Sequence, residues 1–274
     1  MVELIVVVVI STIALIAVYQ TLITQERTYR YQSAAIDAQG TSRMALQVLA
    51  TELREVSASA GADINMGGID LLVASRDSVG FRAFRKVGIV CDFDRVLGSL
   101  DVWVPGEAFA PRDNILVFQE ADSITDDDDS WASRVLASVS ASPNEDACAG
   151  EWSDYDVQRL GGLITVTPLV ERGALVRSFE PITYGIYEYG DDWVMGRRNS
   201  DGTIEPLVGP LLPPTAGGLR FRYFDVNGGV LTPTTAAARA QVARVEITVR
   251  ALSPGGLDGP YVDSLSTNVY LRGN

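Results

Sequence analysis

The chain contains no histidine among its 274 residues, and its only lysine is Lys86. Histidine is the commonest general base and the commonest transition-metal ligand. Its absence excludes Ser-His-Asp and Cys-His hydrolysis, and with them His-ligated zinc sites. Carboxylate chemistry is what remains open to an enzyme. Positive charge is scarce as well: 35 acidic residues against 22 basic ones leave a formal net charge of −13. Such a surface repels a phosphate backbone, so nucleic acid is not an expected partner. No glycine-rich phosphate loop of the Walker or dinucleotide type occurs. Cysteine is limited to Cys91 and Cys148. An even pair in an exported chain reads as a disulfide, the alternative being two unrelated buried thiols. A loop of this length would contribute roughly 4 kcal/mol in the chain-entropy description. Hydrophobic residues at 47% and charged residues at 21% are ordinary globular values, so the chain can bury a real core.

What the sequence does have is a long apolar run at its start, MVELIVVVVISTIALIAVYQTLITQE. No charged residue occurs from Leu4 to Gln25. As a helix, the 20 residues Leu4–Ile23 extend about 30 Å, one bilayer core. A cleaved signal peptide carries a basic segment before a shorter apolar run and a small-residue cleavage site after it. Here no Lys or Arg precedes the run, and Tyr19-Gln20-Thr21-Leu22 leads into more helix. The spacing of Ala45, Leu46, Leu49, Leu53 and Val56 places them on one helical face, with Arg43, Gln47, Glu52 and Glu55 off it. Gly40 is the one breaker before Gly61. One helix over residues 4–58 is therefore expected, all apolar in its first half and amphipathic in its second.

Glu3 interrupts the start of this apolar helix. A carboxylate there costs a few kcal/mol in a bilayer unless it has a partner or lies at headgroup level. The string Met1-Val2-Glu3-Leu4-Ile5-Val6-Val7-Val8-Val9-Ile10 resembles the prepilin signature of type IV pilins and pseudopilins. In that family a dedicated peptidase cuts after the glycine that ends a basic leader. About four apolar or small residues, a glutamate and a long apolar helix follow the cut. The family glutamate is the fifth mature residue, which implies a leader and two mature residues before Met1. Arg43-Met44-Ala45-Leu46 through Leu53-Arg54-Glu55 resembles the matching region of PilW/GspJ-type minor pilins. So do Leu219–Asp225 with Gly228-Gly229, then Val242–Arg250, then Asn268–Arg272, in family order.

The remainder reads as strands and turns. Candidate strands are 79–85, 87–93, 115–119, 163–167, 182–189, 219–224, 242–252 and 265–271, separated by Gly, Pro, Asn and Asp clusters. The fold class expected is α+β, a long N-terminal hydrophobic spine helix packed on an antiparallel β-rich head, as in pilins. Residues 1–58 form the spine, with 4–23 transmembrane, and residues 59–274 form the exported head. Residues 1–57 hold five acids and four arginines, which leaves the head with 30 acids against 18 bases, or −12.

Sites with chemistry are few. Asp126, Asp127, Asp128 and Asp129, with Asp122, offer oxygen ligands for calcium but lack the alternating spacing and glycine of an EF-hand loop. Asp225-Val226-Asn227-Gly228 also offers oxygens and reads better as a hairpin turn. Glu145/Asp146 and Asp154/Asp156, beside Trp152 and Tyr155, supply the carboxylates a glycosidase needs, with no spacing that singles them out. No cofactor is expected and no catalytic residue is assigned.

The resemblance implies a structural minor subunit of a type IV pilus or type II secretion filament, at or near the tip, and not an enzyme. It implies prepilin peptidase and other pilin or pseudopilin subunits as partners. It also implies a single inner-membrane span with a periplasmic head before assembly into a periplasmic or cell-surface filament, and assigns Glu3 to filament assembly. The competing expectations are a membrane-anchored periplasmic binding protein outside any filament and an anchored carboxylate glycosidase.

Overall fold

The computed structural model describes residues 2–56, 70–120, 130–143, 148, 156–166, 169–255 and 259–271. Its first element is the helix α1, Val2–Arg54. The expected interior face is the one that packs: Ala45, Leu46, Leu49, Leu53 and Val56 are buried, and the face extends backwards through Ala38 to Ala34. The helix stops four residues before the expected 58. Its last turn tightens, with Glu55 and Val56 donating to the carbonyls of Glu52 and Leu53, a common way to satisfy a helix end. Gly61, the expected terminator, lies outside the described residues.

Among the described residues the head is one antiparallel sheet of fourteen strands. In chain order these are β1 (Leu71–Ala74), β2 (Ser78–Asp94), β3 (Ser99–Val104), β4 (Asn114–Gln119), β5 (Ser130–Val135), β6 (Ser138–Ala141) and β7 (Asp156–Gly161). They continue as β8 (Leu175–Tyr189), β9 (Asp192–Arg198), β10 (Ile204–Leu211), β11 (Leu219–Phe224), β12 (Val230–Leu231), β13 (Arg244–Ser253) and β14 (Tyr261–Tyr270). A short helix, α2 (Ala236–Arg239), precedes β13. The main path runs β12-β11-β13-β10-β9-β8-β2-β3-β7-β6. Of the remaining strands, β1 pairs with β2, β14 with β13, and β4 with both β5 and β8.

Two cores lie along this sheet. The first joins α1 to the sheet: Leu49, Leu53, Phe81, Tyr184, Met195, Val245 and Ile247 meet there. The second is distal and made of sheet and loops, with Val90, Leu100, Val102, Ile115, Leu160 and Val176 at its centre. The long β2–β8 ladder, Ser78↔Gly185 through Ile89↔Leu175, runs through both and ties them together.

Several strands differ from the sequence expectation. Residues 79–85 and 87–93 are one strand, because Arg85-Lys86 forms a bulge rather than a turn. Neither residue supplies the positive φ or fixed φ that a tight turn uses. The segment 163–167 is not a strand as far as it is described. Its described part, 163–166, is a turn in which Leu163 donates to Gly98 and Val166 donates to Leu163. Leu163 and Val166 are both buried, so their apolar character reflects packing at a three-residue spacing. The facing glycine, Gly98, sits at φ 62° where a Cβ would lie 2.3 Å from the Ile164 nitrogen. β11 and β13 fall where the alternation places them, and β13 alternates half-buried and buried without a break.

Candidate functional site

The helix α1 gives the molecule its most distinctive surface. Its second half packs on β10, β13 and β14. Tyr31 marks the point of departure, meeting Tyr261 edge to face at 5.4 Å between ring centres. N-terminal to that contact the helix leaves the head, and Ile5–Leu22 is exposed throughout. Ile13 is 62% exposed and Leu15 70%, values no aqueous helix would hold along so many consecutive turns. The segment is long and apolar enough to cross a membrane, and none of it is covered by the head.

Four threonine hydroxyls along this half of the helix are satisfied within it. Thr12 and Thr21 donate their hydroxyls to the carbonyls of Val8 and Ala17, at 2.8 and 2.9 Å. Thr24 and Thr28 do the same one and two turns later, at 2.9 Å each. Back-bonding of this kind satisfies a hydroxyl inside its own helix, where hydrocarbon offers no partner. The first charges after the span are Glu26, Arg27 and Arg30, and Glu26 pairs with Arg30 across one turn.

Glu3 occupies the first turn of α1, where a carboxylate is favoured by the unpaired N–H groups and the helix dipole. It is exposed and forms no ion pair among the described residues. The structure thus places Glu3 at the far end of the protruding segment, away from the head.

Cys91 and Cys148 are bonded to one another, with Cα atoms 5.1 Å apart. Cys91 is the extra residue of a bulge in β2, between Val90 opposite Val102 and Asp92 opposite Asp101. Both cysteines are buried, and the Trp103 indole donates to the Cys148 carbonyl at 2.9 Å. The bridge therefore staples the distal core. Asp225–Gly229 is a hairpin turn: Asp225 Oδ1 accepts from the Asn227 and Gly229 amides at 2.8 and 2.7 Å, and Gly228 sits at φ 82°. Asp122 and Asp126–Asp129 lie outside the described residues, as do Glu145, Asp146, Trp152, Asp154 and Tyr155. Asp156 is exposed at the start of β7. Among the described residues no three or more His, Cys, Asp or Glu side chains gather to hold a metal.

Three polar features were not anticipated. Asp101, 2% exposed at its side chain, receives a bidentate contact from Arg159 on β7: Nε donates to Oδ1 at 2.8 Å and Nη2 to Oδ2 at 2.6 Å. Lys86 lies 2.9 Å from Asp113 and 3.6 Å from Glu107, in a cleft of about 240 Å³ between the two cores. Arg85, in the same cleft, is shared by Glu180 and by Glu52 of α1. The cleft's Lys86 and Arg85 are thus committed to pairs within the chain.

Tyr184 is buried against α1, and burial, with the Glu52 carboxylate nearby, pushes its phenol up to about 12. Burial raises Tyr223 further, while its hydroxyl donates to the Ser75 carbonyl at 2.8 Å. A phenol whose folded pKa is raised stabilises the fold fully below its unfolded value of about 10 and loses that contribution as pH rises through the folded value. Denaturant midpoints should therefore hold to about pH 10 and fall towards pH 12, and Tyr184→Phe should flatten the fall. An unchanged fall in that variant would contradict the assignment.

Comparison with known protein families, characterised proteins and solved structures finds no match to this chain.

Proposed function

We propose that this chain is a structural subunit of a type IV pilus or type II secretion filament, held in the membrane by α1 before assembly. The observation that carries the proposal is the division of one unbroken helix. Residues 34–56 are built into the head core, whereas Ile5–Leu22 projects from it fully exposed and apolar. A simple anchor needs no rigid, continuous connection to its head, and a flexible linker serves it equally well. A helix locked into its head at one end and apolar at the other fixes the head's position relative to whatever surrounds the apolar half. That surrounding is lipid before assembly and a bundle of like helices after it.

The resemblance of residues 1–10 to the prepilin signature supports the same reading, as does Glu3 within the first turn. The head is large, and bulk of that size fits a position at or near a filament tip better than repeated packing along a shaft. A minor subunit that primes assembly is the role proposed, with other pilins or pseudopilins as neighbours and prepilin peptidase as the processing enzyme. The periplasm suits a chain whose cysteines are paired in a buried disulfide. A ligand-binding role outside a filament lacks comparable support: Lys86 and Arg85 of the polar cleft are drawn into internal pairs.

The test is fractionation of cells that make such filaments. The full chain should divide between the membrane and sheared filaments, and should remain entirely in the membrane when the assembly machinery is deleted. Recovery in the membrane alone, whatever the state of the machinery, would overturn the proposal.

A further inference from the structure

The strand β14 ends the sheet on one side. It pairs with β13 over its full length, Tyr261↔Ser253 to Tyr270↔Arg244, and with no other strand among the described residues. Leu271 donates its amide to the Ala243 carbonyl, which makes Arg244↔Tyr270 a non-hydrogen-bonded pair. The alternation then sets the rest: Tyr261, Asp263, Leu265, Thr267 and Val269 turn their backbone groups towards β13. Val262, Ser264, Ser266, Asn268 and Tyr270 turn theirs outwards. These outward groups form no hydrogen bond to a described residue.

A long edge of this kind is usually blunted by lysine, proline, a bulge or a covering element. β14 has no Lys, Arg or Pro, its one charge is Asp263, and its register against β13 is unbroken over ten residues. The other strands with one neighbour or a short exposed edge are much shorter: β12 has two residues, β1 and β6 four each, and β5 six. What satisfies a row of alternating outward N–H and C=O groups is the backbone of another extended strand.

That strand does not come from a symmetric pair of copies. Closed pairing of two β14 strands runs antiparallel about a twofold axis normal to the sheet. Such an axis reverses every direction in the sheet plane, including that of α1, which lies on the sheet against β13 and β14. The two apolar segments would then point opposite ways and could not share one membrane. A partner held in the same membrane must be oriented like this chain, and must offer a different edge. The β14 edge is also continuous with the protruding helix, since Tyr261 at its start packs on Tyr31 where α1 leaves the head.

We infer that β14 is a docking edge, and that its occupant is an edge strand from the head of a neighbouring, like-oriented subunit in the same filament. The inference rests on the filament reading. It adds a second contact, between heads, to the contact made by helices. Its chemistry is backbone hydrogen bonding, so side chains on β14 matter less than the outward amides.

Proline separates the two. At Ser264 or Ser266 it removes an outward amide and leaves every bond to β13 in place, the one strand setting in which proline is tolerated. Ser264→Pro and Ser266→Pro should lower the share of the full chain found in sheared filaments by about tenfold. Membrane-fraction amount and disulfide formation should stay near wild type. Ser266→Ala, which keeps the amide and loses the hydroxyl, should assemble normally. If the proline variants also lose their membrane pool, the double variant Ser264→Lys/Ser266→Lys replaces them, since paired edge charges oppose strand addition without touching the ladder. Glu3→Ala is run beside them. Loss with Glu3→Ala but normal assembly of the edge variants overturns the docking edge and leaves the filament reading standing. Normal assembly of all variants overturns the docking edge and the special role of Glu3, and absence of the wild-type chain from sheared filaments overturns the filament reading itself.

Discussion

Glu3→Ala is expected to reach the membrane in normal amount, with a folded, disulfide-bonded head, and to be lost from filaments. The argument begins from the medium. On the filament proposal, assembly would draw an apolar helix out of lipid and into a bundle of helices, and lipid tails and leucine side chains are equally apolar. Apolar packing therefore fixes the axial register of Ile5–Leu22 only weakly. A buried charge pair does fix register, at some cost in stability. Glu3 sits in the first turn of α1, and no cation lies near it in sequence before Arg27. The cation proposed is the mature N-terminal amine of the neighbouring subunit. Removing one partner leaves the other buried and unpaired, which costs about 3–5 kcal/mol, so incorporation should fall by about a hundredfold or more. Glu3→Gln keeps the shape and loses the charge, and should fall nearly as far. The amounts of each variant in membrane and sheared-filament fractions decide the matter. Normal filament yield from Glu3→Ala would leave Glu3 as a charge at the membrane surface.

The second large effect lies in the distal core. Asp101→Ala removes a buried carboxylate and leaves the Arg159 guanidinium, 21% exposed, without its bidentate partner. Loss of about 3–5 kcal/mol is expected in urea unfolding of the full chain in detergent. Asp101 and Arg159 are cross-strand partners on β3 and β7, so an apolar pair fits the same register. Asp101→Val/Arg159→Met should therefore recover most of the loss, because a paired buried charge contributes little beyond what well-packed apolar groups supply. A cost under about 1 kcal/mol for Asp101→Ala would show that solvent reaches the pair.

Both residues illustrate what could be read beforehand and what could not. Glu3 stands out as a single charge at the start of a long apolar run without any knowledge of the fold, and its role in assembly is a proposal. The inner face of α1 was legible for a similar reason: a local period of 3.6 needs only neighbouring residues. Two cysteines in the chain offered a disulfide or two unrelated thiols, and the structure pairs Cys91 with Cys148. Asp101 was not legible, since its partner is 58 residues away and a lone Asp in SLDVWV reads as a break in the apolar pattern. β10 was missed because Pro206 and Pro210 argue against a strand. The fold accommodates them with register slips after Pro206 and after Val208. The free edge of β14 was hidden for a deeper reason. Its residues alternate like those of any strand, and only the sheet order shows that no neighbour follows among the described residues.

The central claim is that the chain belongs to a filament, and its most direct test is to look for it there. Filaments sheared from cells expressing the full chain would be purified and labelled with gold-conjugated antibody raised against the head. The account predicts sparse labelling concentrated at filament ends, absent from filaments of a strain lacking the chain. Filaments that carry no label, while the membranes of the same cells carry abundant chain, would contradict it.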